Sequence, residues 1–369
     1  MEIISLLKIM VEKKASDLHV RPNSRPYLRV DTILYPQESL PELNDDEIRN
    51  SIDGIMNEEQ KKIFRAKHEC DMAITVEGMG RFRFNVYQQR GGVNFAVRHI
   101  SMKIPTIEQL NLPASLKKLA ENYRGLILVT GPTGSGKSST LAAMIDHINS
   151  NKQCNIITIE DPIEYVYEDK KSIISQREIG MDTLDYHEAL KHVVRQDPDV
   201  ILLGEMRDLA TMAAGMTAAQ MGHLVLSTLH TIDTIQTVTR VVDLFPPHQQ
   251  NQIRFQFADV LKGVVSQRLL PHASGKGLIP AVEVLVATPL VKKYIEENNL
   301  GEIIGVMKQG EYYGMQTFNL SLLKLYKEGK IKMEDALSAA TSPEELMMQI
   351  RGIESGAEQV KSGITFERF

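Results

Sequence analysis

The sequence predicts an α/β protein in three parts: a small N-terminal α+β domain, a central α/β core and a C-terminal helical region. Three observations carry this expectation. The stretch from Asp71 to Ile100, DMAITVEGMGRFRFNVYQQRGGVNFAVRHI, alternates apolar and polar residues between glycine turns, as antiparallel strands with one buried face do. From about Ala114 the pattern changes to short apolar runs, GLILVT, NIITIE, DVILLGE and HLVLSTLH, separated by helical segments, as in a sheet covered by helices on both faces. Beyond His272 the spacing is mostly helical, most clearly in SLLKLYKEGK and PEELMMQIRGI.

Taken in chain order, Ile3, Leu6, Leu7, Ile9 and Met10 recur at helical spacing and predict an opening amphipathic helix. SDLHVRPNSRPYLRV follows as a proline-broken hairpin, and Asp45 to Lys67 reads as helix. The first domain is thus expected over 1–100. Residues 101–113, with Pro105 and Pro113, read as a linker, 114–272 as the core, and 273–369 as the helical region. The last stretch, SGAEQVKSGITFERF, is polar with one apolar cluster and reads as a disordered tail.

Bulk properties narrow the function classes. A chain of 369 residues exceeds a single core of common size. The net charge of −5 provides no positive field to hold a phosphate backbone, so nucleic acid is not an expected partner. Cys70 and Cys154 are the only cysteines, too few for a four-cysteine zinc site, and they fit a reducing, cytoplasmic compartment. The N-terminus lacks the basic start and small-residue cleavage pattern of a signal peptide. Since no apolar run approaches the roughly 18 residues of a membrane span, membrane contact is expected only through partners.

The strongest chemical signal is Gly131-Pro132-Thr133-Gly134-Ser135-Gly136-Lys137-Ser138, which matches G-x-x-x-x-G-K-[ST] between the strand LILVT and the helical stretch SSTLAAMIDHI. Backbone N–H groups of such a loop point at phosphate oxygens and the helix N-terminus adds a favourable dipole. Lys137 would neutralise the β- and γ-phosphates, Ser138 would hold Mg²⁺, and Ser139 completes the ATP-binding run. NIITIEDPIEYVY puts Glu160, Asp161 and Glu164 at the carboxyl edge of the sheet, where one could orient the attacking water; a solvated acidic turn is the bland reading of this loop alone. DVILLGEMRD ends an apolar strand in Glu205, the layout of a Walker B acid beside Mg²⁺, with Arg207 a further catalytic candidate. GHLVLSTLHT carries His223 and His230 at its two ends. His230 stands at the carboxyl end, where it could sense the γ-phosphate, whereas His223 is equally well read as structural.

In this order, GPTGSGKSS, IITIEDPIEYVY, DVILLGEMRD and GHLVLSTLHT resemble the Walker A, Asp box, Walker B and His box of secretion ATPases. The resemblance continues through ASDLHV, GRFRFNVYQQRG, RVVDLFP, SQRLLP and GMQTFNLSLLKLYKEGKI, covering nearly the whole chain, and within that superfamily it points to the type IV pilus retraction ATPases of the PilT and PilU type. The resemblance implies a PAS-like N-terminal domain, a RecA-like core and a homohexameric ring. It further implies hydrolysis of ATP with Mg²⁺ to drive an inner-membrane pilus platform protein from the cytoplasmic side, with Glu164 as general base, Glu205 as Walker B acid and His230 as sensor. Arg83 and Arg98 resemble arginines that reach the nucleotide from the N-terminal domain; solvated strand charge is the alternative. Two cysteines exclude the tetracysteine module of extension and type II secretion ATPases. ATPLVKKYIEENNLGEI stands where the PilT branch carries an Ala-Ile-Arg segment, which leans towards PilU or a divergent PilT; the accessory alternative is a PilU-like ATPase that assists a paralogous retraction motor. A DNA translocase would show a basic stripe or a stacking platform, and the sequence shows neither.

Overall fold

The computed structural model describes residues 2–30, 33–100 and 103–352. The expected tail, from Ser355 onward, lies outside the described residues. The chain divides into two compact units, one running up to Lys103 together with Glu164–Val166, the other comprising Ile104–Ile163 and the chain from Tyr167 onward.

In the first unit, helix α1 (Ile3–Glu12) precedes strands β1 (Asp17–Val20), β2 (Tyr27–Val30) and β3 (Ile33–Pro36). Helices α2 (Asp45–Asp53) and α3 (Glu58–Lys67) follow, then strands β4 (Glu69–Val76), β5 (Gly80–Gln89) and β6 (Gly92–Ile100). The strands form one sheet in the order β3-β2-β1-β6-β5-β4, antiparallel throughout. The alternation in β5 does what it predicts: Phe82, Phe84 and Val86 are buried against Leu6, Leu7 and Met10 of α1 and Ile48 and Ile52 of α2, while Arg81, Arg83 and Asn85 take the opposite face. The single helix expected over Asp45 to Lys67 is two. Asn57 accepts from Gln60 N at 2.9 Å while the Gln60 side chain accepts from Asn57 N at 3.0 Å, a capping box that starts a new helix just after Gly54.

The second unit opens with α4 (Ser115–Ala120), β7 (Gly125–Thr130), α5 (Lys137–Asn151), β8 (Asn155–Glu160), β9 (Ile173–Glu178) and α6 (Tyr186–Val193). It continues with β10 (Val200–Leu203), α7 (Leu209–Gln220), β11 (Leu224–Leu229), α8 (Thr234–Asp243), α9 (Pro247–Val260), β12 (Leu261–Pro271) and β13 (Leu278–Val286). Helices α10 (Pro289–Glu296), α11 (Gly301–Gln309), α12 (Phe318–Lys327), α13 (Met333–Ala339) and α14 (Pro343–Ile350) complete it. The sheet order is β13-β12-β7-β11-β10-β8-β9, parallel from β12 to β9 and antiparallel at β13. Every residue of β7, β10 and β11 is buried, as continuous apolar runs covered on both faces require.

The sheet extends past residue 272, where helix was expected. Ile279 to Leu285 are buried, and Pro280 is tolerated because β13 is an edge strand, bridged on its outer side by Gln316 at Val284 and not at Pro280. Ile279 and Ala281 join Leu270 of β12 under Phe318, Leu322 and Leu325 of α12, Ala336 of α13 and Leu346 of α14 in a core of their own. Val291 and Ile295 of α10 and Ile303 and Met307 of α11 instead belong to the main core. No helix among the described residues is long and apolar enough to cross a membrane.

Leu226 of β11 is fully buried in the centre of the sheet, so Leu226→Ala is expected to cost about 2–5 kcal/mol, whereas Asn57→Ala, which removes one cap, should cost about 1 kcal/mol. Urea midpoints of the two variants check both the order and the size.

Candidate active site

The register of the parallel strands assembles the site. Thr130 pairs with Leu229, while Leu203 pairs with Ser227 on one side and Ile159 on the other, so all four strands end near one level. The residues that follow are Gly131, His230, Gly204 with Glu205, and Glu160, all on the carboxyl edge where open α/β sheets bind ligands.

Gly131 has φ +144°, and a Cβ there would lie 2.4 Å from the Gln267 carbonyl oxygen of β12 and 2.6 Å from Ser135 Oγ. Only glycine lets the chain leave β7 against that neighbour. The loop winds back to Gly136, and α5 begins at Lys137. Lys137 Nζ donates to the carbonyls of Gly131 at 2.9 Å and Pro132 at 3.0 Å, which holds a cation inside the turn. The buried Ser135 Oγ has no hydrogen-bond partner among the described residues, and Gly134 faces open space. A lysine, a helix N-terminus and an orphaned hydroxyl around an open turn suit a polyphosphate. Ser138 is half-buried one residue into α5, and Ser139 follows it.

Glu205, just beyond β10, is held between two partners. Its Oε1 forms a close ion pair with Arg207 Nε, and its Oε2 lies 3.2 Å from His230 Nε2, with 14% of the side chain exposed. Thr228 of β11 donates to the Gly204 carbonyl at 2.7 Å, fixing the turn that presents this carboxylate. Burial, then the charges of Lys137 and Arg207, hold the His230 imidazole below its ordinary pKa. The structure thus brings Lys137, Glu205, Arg207 and His230 together.

The other candidates have partners outside this cluster or, among the described residues, none. Glu160 is buried and accepts from Thr158 Oγ1 at 2.7 Å and Gln176 Nε2 at 3.2 Å. Glu164 is exposed in the loop after the cis Asp161–Pro162 bond, and its carboxylate has no partner among the described residues. His223 stands at the other end of β11, with Nδ1 2.7 Å from the Pro198 carbonyl oxygen, a structural contact. Arg83 and Arg98 belong to the N-terminal unit, opposite one another across β5 and β6. Arg83 is 4.0 Å from Asp71, and Arg98 donates from Nε to Asp17 at 2.9 Å.

Sequence reasoning did not single out Tyr186. Its hydroxyl is where a Cβ on Gly204 would collide, at 2.6 Å, and burial, then the charges of Asp161 and Glu160, raise its pKa. No motif surrounds Tyr186; only the fold brings it to this edge.

A family model described as type II/IV secretion system protein matches residues 2–299. The chain belongs to that family. It is similar to the type IV pilus ATPase PilU of Pseudomonas aeruginosa, 42% identical over 98% of this chain and 95% of that protein. It is also similar to the type IV pilus retraction ATPase PilT of the same organism, 41% identical over 93% of this chain and 99% of that one. Among solved structures, the pilus retraction motor PilT with bound ADP matches with TM-score 0.89 and 43% identity, over 94% of this chain and 99% of that chain. The expected fold class of this secretion-family member therefore holds: an N-terminal sheet domain, an α/β ATPase core and a helical C-terminal region. The chain is a nucleotide-binding ATPase.

The lowered pKa of His230 fixes a sign. The unfolded chain takes up the imidazole proton at its ordinary value and the folded chain only at lower pH, so between the two the unfolded state binds more protons. The contribution of this residue is fully present above that window and is lost as pH falls through it. His230→Asn should therefore flatten the fall in urea midpoint between about pH 7 and about pH 5, and an unchanged slope would refute the assignment.

Proposed function

We propose that this chain is the motor of type IV pilus retraction, a homohexameric ATPase that hydrolyses ATP with Mg²⁺ and works on an inner-membrane pilus platform protein from the cytoplasmic side. One observation carries the reading: a phosphate loop, a Walker B carboxylate and a His-box imidazole share one sheet edge in a chain alignable over nearly its whole length with PilU and PilT. No nucleic acid enters this reading, and contact with the membrane runs through partners.

The run from Gly131 to Ser139 would hold the phosphates, with Lys137 exchanging its two loop carbonyls for phosphate oxygens of higher charge. Ser138 and Glu205 would hold Mg²⁺, which supplies charge neutralisation between the β- and γ-oxygens when bound. Both side chains fit that role: the hydroxyl is half-buried beside Lys137, and the carboxylate is poised at the same edge. Arg207, now paired to Glu205, would release that carboxylate and be freed to meet the nucleotide. Glu164, exposed and unpaired among the described residues, would take a proton from the attacking water, and His230 would report the γ-phosphate. Arg83 and Arg98, paired with Asp71 and Asp17, are the arginines of the N-terminal unit that this reading assigns to nucleotide binding.

A second reading is a PilU-like ATPase that assists a paralogous retraction motor. It is favoured by ATPLVKKYIEENNLGEI, the run from Ala287 to Ile303 that spans α10 and the start of α11, where an Ala-Ile-Arg segment would be expected. It also agrees with a PilU similarity that spans 98% of the chain against 93% for PilT.

Steady-state phosphate release by the purified chain, with its mass in solution with and without ATP and Mg²⁺, tests the motor reading. The expected result is turnover by a hexamer, reduced about 100-fold or more in Glu164→Gln and abolished in Lys137→Ala. Wild-type turnover no faster than Glu164→Gln would put the accessory reading ahead. In cells, a strain carrying only Glu164→Gln is expected to keep surface pili and lose twitching.

A further inference from the structure

Two charged side chains on neighbouring strands touch both the segment after His230 and the C-terminal helices. Glu283 of β13 is buried, with 7% of its surface exposed. Its Oε1 accepts the backbone N–H and the hydroxyl of Thr234, each at 2.9 Å, and its Oε2 accepts the backbone N–H of Phe318 at 3.3 Å. Thr234 is the first residue of α8, four positions after His230, and Phe318 is the first residue of α12. A buried carboxylate is costly unless it is fully hydrogen-bonded, and here the compensation comes from two helix N-termini at once. Arg268 of β12 repeats the pattern. Its guanidinium lies 3.9 Å from the centroid of the Phe318 ring, donates closely to the Ala339 carbonyl at the end of α13, and reaches to 3.5 Å from the Ile232 carbonyl oxygen in the His-box segment.

Both ends of this bridge are otherwise well anchored. Asp233 caps α8 through Gln236 N at 2.7 Å, and Thr231 Oγ1 meets Thr237 Oγ1 at 2.7 Å, so the segment from His230 to Thr234 is held as one piece. On the far side, Gln316 pairs with Val284 through backbone bonds of 2.8 and 3.1 Å, and Ser321 Oγ accepts from Val282 N at 3.0 Å, which fastens the start of α12 to β13. Glu283 sits where a displacement of either helix start reaches the other.

We propose that Glu283, supported by Arg268, is a positioning residue of the ATPase site: it holds the segment that carries His230 and transmits its movement to helices α12 and α13. The inference rests on the ATPase reading of the core and adds to it a route by which nucleotide state reaches the helical region. Glu283 touches no reacting atom; it acts through Thr234. Gln at this position keeps the volume but turns a donor towards one of the two N–H groups, so one helix start loses its acceptor.

The test uses the full chain in two measurements, steady-state ATP hydrolysis and amide hydrogen exchange with and without ADP or a non-hydrolysable ATP analogue. Glu283→Gln is expected to lower kcat about 10- to 100-fold with KM for ATP within about twofold, the signature of misplacement rather than lost binding. Thr234→Val should lower kcat in the same sense and Thr234→Ser should restore most of it; this pair carries the test if Glu283→Gln does not fold. Nucleotide should change exchange over both 230–240 and 317–327 in the wild type, and over 230–240 alone in Glu283→Gln. The proposal is overturned by an unchanged kcat, by a loss confined to KM, by failure of serine to rescue valine, or by an undiminished response over 317–327 in the variant. His230→Ala measured alongside separates the two readings: wild-type turnover there removes the sensor assignment and leaves the bridge to its own variants.

Discussion

The parallel register of β7, β11, β10 and β8 is the constraint on which the rest depends. Residues up to 100 positions apart in sequence become neighbours because each strand stops at the same level. A one-residue slip in any strand would swap the side chains that face its two helical layers, and every residue of β7, β10 and β11 is buried and packed. The site is thus as rigid as the core beneath it. Glycine at 131 is required by the Gln267 carbonyl that already occupies the space, and a side chain at 204 would have to displace the Tyr186 hydroxyl.

Charge at this edge is balanced in pairs that a nucleotide can displace. Lys137 rests on neutral carbonyls, which are weaker partners than phosphate oxygens. Glu205 is shared between Arg207 and His230, and burial, then the charges of Lys137 and Arg207, hold the imidazole below its ordinary pKa. An incoming polyphosphate that drew Arg207 away would also change the surroundings of His230, since Glu205 partners both. The neighbouring segment ends in α8, whose N-terminus is fixed by Glu283, so reorganisation at the edge meets a buried carboxylate shared with α12.

Much of this was legible in the sequence, and for physical reasons. The strands GLILVT, NIITIE and HLVLSTLH are continuous apolar runs because both their faces are covered, and the phosphate loop is a contiguous motif between a strand and a helix. The alternation of β5 marks a sheet with one buried face. What was not legible depends on long-range packing. LIPAVEVLV has the composition of a strand but contains a proline, and only its position at the sheet edge makes that acceptable. The break between α2 and α3 rests on side-chain bonds at Asn57 that helical periodicity does not reveal. Tyr186 and Glu283 belong to no motif, since their partners are brought to them by the fold from other elements.

We propose the turn from Gly131 to Ser138, closed by Lys137, as the place where this ATPase binds nucleotide. Titration of a fluorescent ADP analogue into the wild-type chain and Lys137→Ala tests it most directly. The account predicts at least about a tenfold loss of affinity in the variant, as expected for removal of a charge-assisted contact to phosphate, with the fold retained. Equal affinity in the two chains would contradict it and place the nucleotide elsewhere.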